Sequence, residues 1–403
     1  MKKTKYIVLV ADGMADLPIE ELGGRTPLEV ARTPHMDYLA KHGKIGEALF
    51  VPQGMVPGSD IANLSILGYD PKEYYCGRGP LEASNLGVEI HAGEVAFRCN
   101  LVTIEDDILV DYSAGHISTK EARIIIEFLN KELFDDTIRF HAGISYRHLM
   151  IIKGNTEDLL KLTCFAPHDI MGKKISKYLP DGPSCNRIIE TMNRSKEILN
   201  KHEVNQVRID LKENPANMIW LWGQGKKIKF PSFKEKYGVT GSVISAVDLI
   251  KGMGRSVGLK PISVPGATGY YDTDYKAKAD YALKSLVNHD FVFVHVEAPD
   301  EAGHNGDMRA KITAIENFDR LVVGTIIDYC KKNKDVRVLV LPDHPTPVDL
   351  KTHTSDPVCF LMYGEGVQKD NFDIYNEAIA RKSQLKITEG HTLMDIFIKQ
   401  ENI

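Results

Sequence analysis

The chain has 403 residues, of which 43% are hydrophobic and 26% are charged, and its formal net charge is −5 at pH 7. That length is enough for about two domains of ordinary size, and the composition is typical of a soluble globular enzyme. The slight negative charge excludes the basic footprint that binding to nucleic acid or to an anionic membrane requires, so we expect neither partner.

The six cysteines are scattered along the chain without a C-x-x-C pair. This spacing favours reduced thiols over a disulfide framework or a zinc ribbon. The apolar run behind the basic N-terminus meets Asp12 too soon for a secretory signal. No stretch approaches the roughly 20 apolar residues that a membrane-spanning helix needs. We therefore expect a cytoplasmic protein.

A short apolar run over residues 6–10 predicts a buried strand, and this strand leads directly to Asp12. Further along, Thr33 as N-cap, Pro34 at the first helical position and Gly43 as C-cap predict a helix. The first segment therefore begins with a strand and a helix, and a carboxylate lies at the carboxyl end of the strand.

Ser59 follows a Pro-Gly bend and begins a helical run whose apolar residues are Ile61, Leu64 and Leu67. A serine in this place has two interpretations. It is the N-cap of the helix, a position that serine favours. Alternatively, it is a nucleophile whose hydroxyl binds a metal ion near the positive end of the helix dipole.

The middle of the chain, from about Gly87, has a different pattern. Apolar and polar residues alternate over 95–101, which predicts a half-exposed strand. Two helices are predicted, one behind the capping box at Ser118 and one over 187–202. Further strand-like segments lie at 108–110, 138–140 and 149–152. This part is expected to form a separate α+β domain.

From Gly238 the chain returns to the first pattern. A helix is predicted here, with Val243, Ile244, Val247 and Ile250 on one face. It leads toward the next buried strand.

Residues 290–296 are β-branched and aromatic, which is typical of a strand buried on both faces of a parallel sheet. Pro299 and Gly303 interrupt the pattern, so we expect Asp300 and His304 on the loop at the strand's carboxyl end. Ligands bind at that edge in open α/β sheets. The alternative is an exposed loop that contains an Asp and a His by chance.

Residues 336–341 predict another buried strand, which Asp343 and His344 follow directly. His353 lies in the next loop, before a strand predicted over 358–363. The arrangement seen after the first strand is therefore repeated twice near the C-terminal end of the chain.

Side chains that could bind a metal ion thus follow three predicted buried strands. They are Asp12, Asp300, His304, Asp343 and His344, with His353 in a nearby loop. Asp and His together suit Zn²⁺ or Mn²⁺ better than Ca²⁺, which prefers oxygen ligands. Six ligands exceed the need of one tetrahedral site, and with Ser59 they suit two ions.

Two ions about 3.5–4 Å apart clamp the entering and leaving oxygens of a phosphoryl transfer, and a serine between them can take up the phosphoryl group. Asp12 precedes the middle segment and the other ligands follow it, so a shared site requires one domain that is split by an insertion. The chain has no P-loop motif, which excludes that class of kinase.

Several motifs surround these residues: LGGRTPLE at 22–29, TPHMD at 33–37, PGSD at 57–60, GRGPLEA at 77–83, APDEAGH at 298–304 and PDHPTP at 342–347. Together they resemble the archaeal-type phosphoglycerate mutases, which are independent of 2,3-bisphosphoglycerate and belong to the alkaline phosphatase superfamily. The resemblance covers nearly the whole chain.

The resemblance implies an α/β fold in which helices flank an alkaline-phosphatase-like, mostly parallel sheet that carries an inserted α+β lid domain. Residues 1–85 and 236–403 would form the catalytic domain, and residues 86–235 would form the lid. The implied reaction is the glycolytic interconversion of 3-phosphoglycerate and 2-phosphoglycerate through phosphoserine at Ser59, without 2,3-bisphosphoglycerate.

The resemblance also implies two Mn²⁺ or Zn²⁺ ions. One would be held by Asp12, Ser59, Asp343 and His344, and the other by Asp300, His304 and His353. The lid would supply cationic groups for a small phosphorylated carboxylate, and the candidates there are Arg98, Arg147 and His116. Arg78, on the linker side of the lid, is a further candidate. For each arginine, the alternative is a solvated strand or loop residue.

One segment departs from the family pattern. Residues 111–116 read DYSAGH where the family is expected to carry D-R-x-A-G-R, so Tyr112 and His116 replace two arginines. His116 can still bind phosphate or exchange a proton near neutral pH. Two other functions therefore stay open: a phosphotransferase or phosphatase acting on homoserine or another small substrate, and a metal-binding protein without catalysis. The complete set of ligands argues against the second.

Overall fold

The computed structural model describes residues 4–133 and 135–400. The chain divides into two compact units, which we call the large unit (residues 1–75 and 230–403) and the small unit (residues 76–229). The chain leaves the large unit after Tyr75 and returns to it at Phe230. The roles of catalytic domain and lid stay predictions.

The strands of the described residues are β1 (Lys5–Ala11), β2 (Lys44–Ala48), β3 (Glu94–Glu105), β4 (Ile108–Asp111), β5 (Ile138–Ile144), β6 (Arg147–Lys153), β7 (Met218–Gly225), β8 (Gly241–Ile244), β9 (Lys260–Pro261), β10 (Phe291–Val296), β11 (Val336–Leu341), β12 (Val358–Gly364) and β13 (Lys386–Ile387). Most lie at or near the segments in which the sequence predicts strands.

The α-helices are α1 (Pro27–Val30), α2 (Pro34–Lys41), α3 (Ser59–Ile66), α4 (Pro71–Tyr74), α5 (Arg78–Leu86), α6 (Thr119–Glu132), α7 (Thr156–Leu159), α8 (Cys185–Leu199), α9 (Glu203–Asp210), α10 (Phe233–Tyr237), α11 (Asp248–Ser256), α12 (Tyr275–Ser285), α13 (Ala298–Asn305), α14 (Met308–Asn317), α15 (Gly324–Lys332), α16 (Glu377–Lys382) and α17 (Leu393–Lys399). A π-helical stretch, Phe318–Val323, joins α14 to α15. Within the described part of the chain, no helix has both the length and the apolar character needed to cross a bilayer.

The large unit is built on an eight-stranded sheet in the order β13-β2-β12-β11-β1-β10-β8-β9. β1 pairs in parallel with both β10 and β11, while β12 runs antiparallel to β11 and β2. Val10 lies opposite His295 on one side and Leu341 on the other, so three strands end at the same edge. The predicted α/β class with a mostly parallel sheet is confirmed.

The core of the large unit explains why these strands are continuous apolar runs. β10 and β11 are buried along their whole length, and β1 is buried from Tyr6 onward. One face of the sheet packs against apolar side chains of the helices, including Met36, Ala279 and Phe318. Each fully buried large apolar side chain contributes about 1.5–3 kcal/mol, so the sheet is a rigid support for the residues that follow its strands.

The small unit contains a five-stranded antiparallel sheet in the order β4-β3-β6-β5, with β7 also paired to β3. Apolar residues of α6 and α8 cover one face, and α5 packs on part of the other. The prediction that residues 95–101 form a half-exposed strand is therefore wrong. β3 is buried from Glu94 to Ile104, because helices cover both of its faces.

Two predicted elements of the large unit also differ. The helix predicted around Val243 and Ile244 is instead strand β8, which pairs with β10 and β9, and α11 begins only at Asp248. Asp300 and His304 lie on helix α13 rather than on a loop. Pro299 is tolerated because it lies in the first turn of that helix.

Lys311 of α14 is wholly buried and connects two loops at the carboxyl edge of the sheet. Its Nζ lies 2.6 Å from Asp16 Oδ2 and donates to the carbonyls of Ala15 (3.1 Å) and Thr346 (2.9 Å). The lysine thus joins the segment behind β1 to the segment behind β11. Losing one partner of such a pair leaves a buried charge uncompensated.

We predict that Lys311→Ala lowers the free energy of unfolding by about 3–5 kcal/mol, because the Asp16 carboxylate loses its buried partner. Urea unfolding followed by circular dichroism measures the effect. The control is Lys276→Ala, which breaks the exposed Lys276–Asp280 pair and should change stability by less than about 0.5 kcal/mol. Equal effects of the two substitutions would contradict the role of Lys311.

Candidate active site

The first group of metal-competent side chains lies on α13 and in the loop after β11. His304 Nε2 is 3.4 Å from Asp300 Oδ2, and His353 Nε2 is 3.5 Å from Asp300 Oδ1. The two imidazole Nε2 atoms lie 2.9 Å apart. Asp300 and His304 face the same side because residues four apart are neighbours on a helix.

The second group lies directly behind β1 and β11. His344 Nε2 is 3.5 Å from both Asp12 Oδ1 and Asp343 Oδ2. Ser59 Oγ lies 3.2 Å from the same nitrogen. The structure therefore brings together every residue predicted for this group, although they come from segments up to about 330 residues apart.

These separations suit a bound cation. Four donors about 2.1 Å from a zinc ion lie roughly 3.4 Å from one another at the corners of a tetrahedron. Carboxylate and imidazole pairs at 3.4–3.5 Å are too far apart for good hydrogen bonds but match that edge length. Asp300 also belongs with Asp12 and His344 to a set of donor atoms within 4.8 Å of one another, which links the two groups.

Hydrogen bonds from neighbouring residues fix the orientation of these donors. Thr346 Oγ1 donates to Asp300 Oδ1 at 2.5 Å and lies 3.2 Å from His344 Nδ1. Asn63 Nδ2, one turn behind Ser59 on α3, donates to Asp343 Oδ2 at 2.7 Å. Such partners hold metal ligands in place and raise metal affinity.

His304 has a defined proton arrangement. Its Nδ1 lies 3.1 Å from the carbonyl oxygen of Lys351, which can only accept a hydrogen bond. Nδ1 therefore donates its proton to that carbonyl, and Nε2 is the ring nitrogen that faces Asp300 and His353. Gly303, on the same helix, allows α13 to pack closely against Thr346, because a Cβ there would lie 2.3 Å from the carbonyl oxygen of Thr346.

The charges of the site are those of a candidate cation site. Burial and the nearby Asp343 and Asp300 carboxylates raise the pKa of Asp12 well above its ordinary value. Burial also acts to raise the pKa of Asp300, but His304 and His353 hold it well below its ordinary value. Asp12 Oδ1 is buried without a hydrogen-bond partner in the structure. Divalent ions would supply positive charge to three crowded, buried carboxylates.

His295, near the carboxyl end of β10, is a residue beside the candidate site that the sequence prediction missed. It is completely buried, with Nε2 3.4 Å from Asp12 Oδ2 and Nδ1 3.3 Å from Glu297 Oε1. Its ring also lies with Asp12 and Asp343 in a set of donors that could hold a metal ion. The available signal was an imidazole inside an otherwise apolar strand.

Glu297 connects His295 to further buried polar side chains. Its Oε2 lies 3.8 Å from Nζ of Lys278, which is fully buried on α12 and donates to the carbonyl oxygen of His295 at 3.1 Å. Ser245, behind β8, donates to Glu297 Oε1 at 3.3 Å. A buried chain of polar side chains therefore extends from Asp12 through His295 and Glu297 to Lys278.

Ser59 is the first residue of α3, and Gly58 is the N-cap. The prediction of a serine at a helix N-terminus is thus confirmed, although Ser59 does not cap the helix with its side chain. Its half-buried hydroxyl is directed toward His344 instead. This geometry favours the interpretation of Ser59 as a nucleophile over that of a capping residue.

The predicted substrate residues lie in the small unit. Arg98 Nε on β3 pairs with Glu82 Oε1 of α5 at 2.8 Å. Burial lowers the pKa of Arg98; Glu82 acts against this shift, and the charges of Arg78 and Arg147 add to it. The three arginines are therefore close enough to interact electrostatically and form one cationic cluster.

His116 belongs to the surroundings of this cluster. Its ring centroid lies 6.2 Å from that of Tyr146, whose ring in turn lies 5.5 Å from the guanidinium carbon of Arg147. Tyr112, the other departure from the family pattern, makes an edge contact with Tyr146 at 5.6 Å. The segment 111–116 thus lines the cluster with aromatic and imidazole rings.

Comparison with known proteins identifies close relatives over nearly the full length. Residues 40–205 match the family model described as 2,3-bisphosphoglycerate-independent phosphoglycerate mutase. The chain is 51% identical to the protein of that name from Methanosarcina barkeri, covering 98% of this chain and 99% of the relative. It is 50% identical to a second such protein, from Methanothermobacter thermautotrophicus, covering 98% and 97% of the two chains.

Solved structures share the fold. A protein from Pyrococcus horikoshii superposes with a TM-score of 0.81 and 31% identity, covering 99% of this chain and 97% of that chain. The cofactor-independent phosphoglycerate mutase from Thermoplasma acidophilum has a TM-score of 0.65 and 27% identity, covering 98% and 99%.

We predict that Asp300→Asn weakens the binding of Mn²⁺ or Zn²⁺ by at least about 100-fold, because this carboxylate faces both His304 and His353 and a neutral amide is a poor ligand. Metal content after dialysis against a weak chelator, determined by mass spectrometry, measures the loss. The matched control is Asp280→Asn, which changes an exposed carboxylate of α12. Unchanged metal content in Asp300→Asn would exclude the first group as a metal site.

Proposed function

The chain belongs to the family of 2,3-bisphosphoglycerate-independent phosphoglycerate mutases, and we propose that it is the glycolytic isomerase that interconverts 3-phosphoglycerate and 2-phosphoglycerate. The observation that carries the proposal is the Ser59 hydroxyl, 3.2 Å from His344 Nε2 in a cluster of buried carboxylates and imidazoles. A nucleophile within a group of metal-competent donors suits phosphoryl transfer.

We assign two divalent ions, Mn²⁺ or Zn²⁺, to the site. Asp12, Ser59, Asp343 and His344 would hold one, and Asp300, His304 and His353 would hold the other. The separations of these donors and the excess of buried negative charge support this assignment. When bound, the ions lower the pKa of a coordinated hydroxyl and neutralise charge on the phosphoryl oxygens.

Ser59 would receive the phosphoryl group. In the first half of the reaction, its Oγ forms a bond to phosphorus while the ester bond to the glycerate oxygen breaks, and the serine proton is replaced by phosphorus. The released glycerate oxygen gains a proton. In the second half, the other glycerate hydroxyl attacks phosphoserine, loses its proton and restores the Ser59 hydroxyl. The N-terminus of α3 supplies backbone N–H groups near the transferred group.

The small unit would recognise the rest of the substrate. Phosphoglycerate carries a carboxylate as well as a phosphate, and Arg78, Arg98 and Arg147 offer planar donors that suit both groups. His116 would add a further donor beside them. We propose that this unit acts as the lid, because phosphoserine must be protected from water until the glycerate has turned around.

We also propose a cytoplasmic location. All six cysteines are free, four of them buried and two half-buried. Free thiols are typical of proteins in reducing compartments, and glycolysis supplies the substrate there.

We predict that the purified protein converts 3-phosphoglycerate to 2-phosphoglycerate without added 2,3-bisphosphoglycerate, and that Ser59→Ala loses at least about 1,000-fold in kcat, because the acceptor oxygen is removed. An enolase-coupled assay measures both. Prior treatment with EDTA should abolish turnover, and Mn²⁺ or Zn²⁺ should restore it.

The matched control is Ser65→Ala on the same helix, since the Ser65 hydroxyl is buried without a hydrogen-bond partner and its loss should leave turnover unchanged. Full activity of Ser59→Ala would exclude the phosphoserine route. Phosphorylation of homoserine by a phosphate donor, with no conversion of 3-phosphoglycerate, would support the rival phosphotransferase instead.

A further inference from the structure

The indole of Trp222 contacts two of the arginines in the small unit. The guanidinium carbon of Arg98 lies 4.4 Å from the ring centroid, and that of Arg78 lies 5.4 Å from it. Trp222 is on β7 and is only 5% exposed. One aromatic side chain therefore stands against two cations that come from different elements.

Local backbone structure fixes this contact. Trp222 lies directly opposite Arg98 in the pairing of β7 with β3, so both side chains project from the same face of the sheet. Gly223 follows in the left-handed conformation (φ 61°), and a Cβ there would lie 3.2 Å from Cβ of Arg78. Glycine suits this position because it adopts the left-handed conformation readily and leaves room for Arg78 beside β7.

The orientation of the indole is also fixed. Its Nε1 donates to Asn100 Oδ1 at 3.1 Å, and Asn100 lies two residues beyond Arg98 on β3. A buried tryptophan N–H needs such a partner. The ring therefore cannot turn away from the arginines without losing this hydrogen bond.

The charges explain what such a ring contributes. The charges of Arg78 and Arg147 repel that of Arg98, whereas the carboxylate of Glu82 attracts it. Carboxylates hold arginines together but cancel the positive charge that an anionic substrate needs. An aromatic face attracts cations while carrying no net charge, so it holds guanidinium groups side by side and leaves their charge for the ligand.

We propose that Trp222 is a positioning residue for the substrate, which keeps Arg78 and Arg98 arranged to bind the phosphate and carboxylate of a small organic acid. This role rests on the function proposed above. Trp222 acts through the arginines and is not itself a catalytic residue. Its removal should therefore weaken substrate binding while the chemical step at Ser59 continues.

The chain contains only two tryptophans, which makes the proposal measurable by fluorescence. Trp220 lies on the same strand, is buried, and donates its Nε1 to the carbonyl oxygen of Phe165. In Trp220→Phe, Trp222 is the remaining tryptophan; excited at a wavelength that tyrosine does not absorb, it should show a saturable change in emission as 3-phosphoglycerate is added. In Trp222→Phe, where Trp220 remains, emission should not respond.

Steady-state kinetics give the second test. We expect Trp222→Leu to raise KM for 3-phosphoglycerate about tenfold, with kcat changed less than about threefold, because uniform binding is lost. Trp222→Phe keeps an aromatic face and should recover most of the loss. Trp220→Phe should behave as the unsubstituted enzyme. A purely structural role of Trp222 would lower the active fraction without this separate effect on KM.

The outcomes separate this proposal from the proposed function. If the enzyme turns over 3-phosphoglycerate but Trp222 emission does not respond and Trp222→Leu keeps the original KM, the role of Trp222 is wrong. If no turnover occurs while Trp222 emission still responds saturably to 3-phosphoglycerate, the mutase function is wrong and the arginine and tryptophan site stands. If Trp222→Leu does not fold, Trp222→Phe and the emission titration decide the question.

Discussion

Three buried carboxylates, Asp12, Asp300 and Asp343, lie together at one edge of a mostly parallel sheet. Burying their negative charges costs free energy, and this cost is the main constraint on the large unit. Burial, and then the repulsion of the other two carboxylates, raise the pKa of Asp12. An ion taken from water into a protein interior costs several kcal/mol unless opposite charges compensate it. The fully buried lysines nearest to this edge are already paired, Lys311 with Asp16 and Lys278 with Glu297. Divalent cations are therefore the natural complement of this edge.

In the proposed function, each unit would meet a different requirement of the reaction. The large unit offers a rigid sheet edge, where strand register brings residues from both ends of the chain together and Thr346 and Asn63 fix the donors. The small unit offers positive charge of its own in the form of arginines, with Trp222 holding two of them. Phosphoryl transfer needs the first kind of environment at phosphorus, and recognition of an anionic substrate needs the second.

Much of this organisation could be predicted from the sequence. Apolar runs identify β1, β10 and β11, because strands buried on both faces have no polar alternation, and the side chains that follow them then define the site. Other features depend on tertiary contacts. α13 is helical despite Pro299 and Gly303, because the proline lies in the first turn and the glycine accommodates Thr346. The segment around β8 is predicted as a helix because its four apolar residues fit either a helical or a strand periodicity.

The sequence analysis did not identify His295 or Trp222, because their roles also depend on tertiary contacts. His295 is one imidazole within an apolar strand, and only strand pairing brings it to Asp12. In the sequence, Trp222 resembles any core aromatic residue, and only the pairing of β7 with β3 brings it to Arg98. Predicted strands indicate which residues lie at an edge, but they do not indicate which strands are neighbours. Residues that act through a partner on another strand are therefore the least accessible to sequence reasoning.

The central claim is that Ser59 carries the phosphoryl group during turnover. It is tested most directly by mixing the metal-loaded enzyme with 3-phosphoglycerate, quenching in acid within one turnover and locating phosphate by peptide mass spectrometry. The predicted result is phosphate on Ser59, which disappears when both phosphoglycerates are removed. Continued turnover with phosphate on another residue, or on no residue, would contradict it.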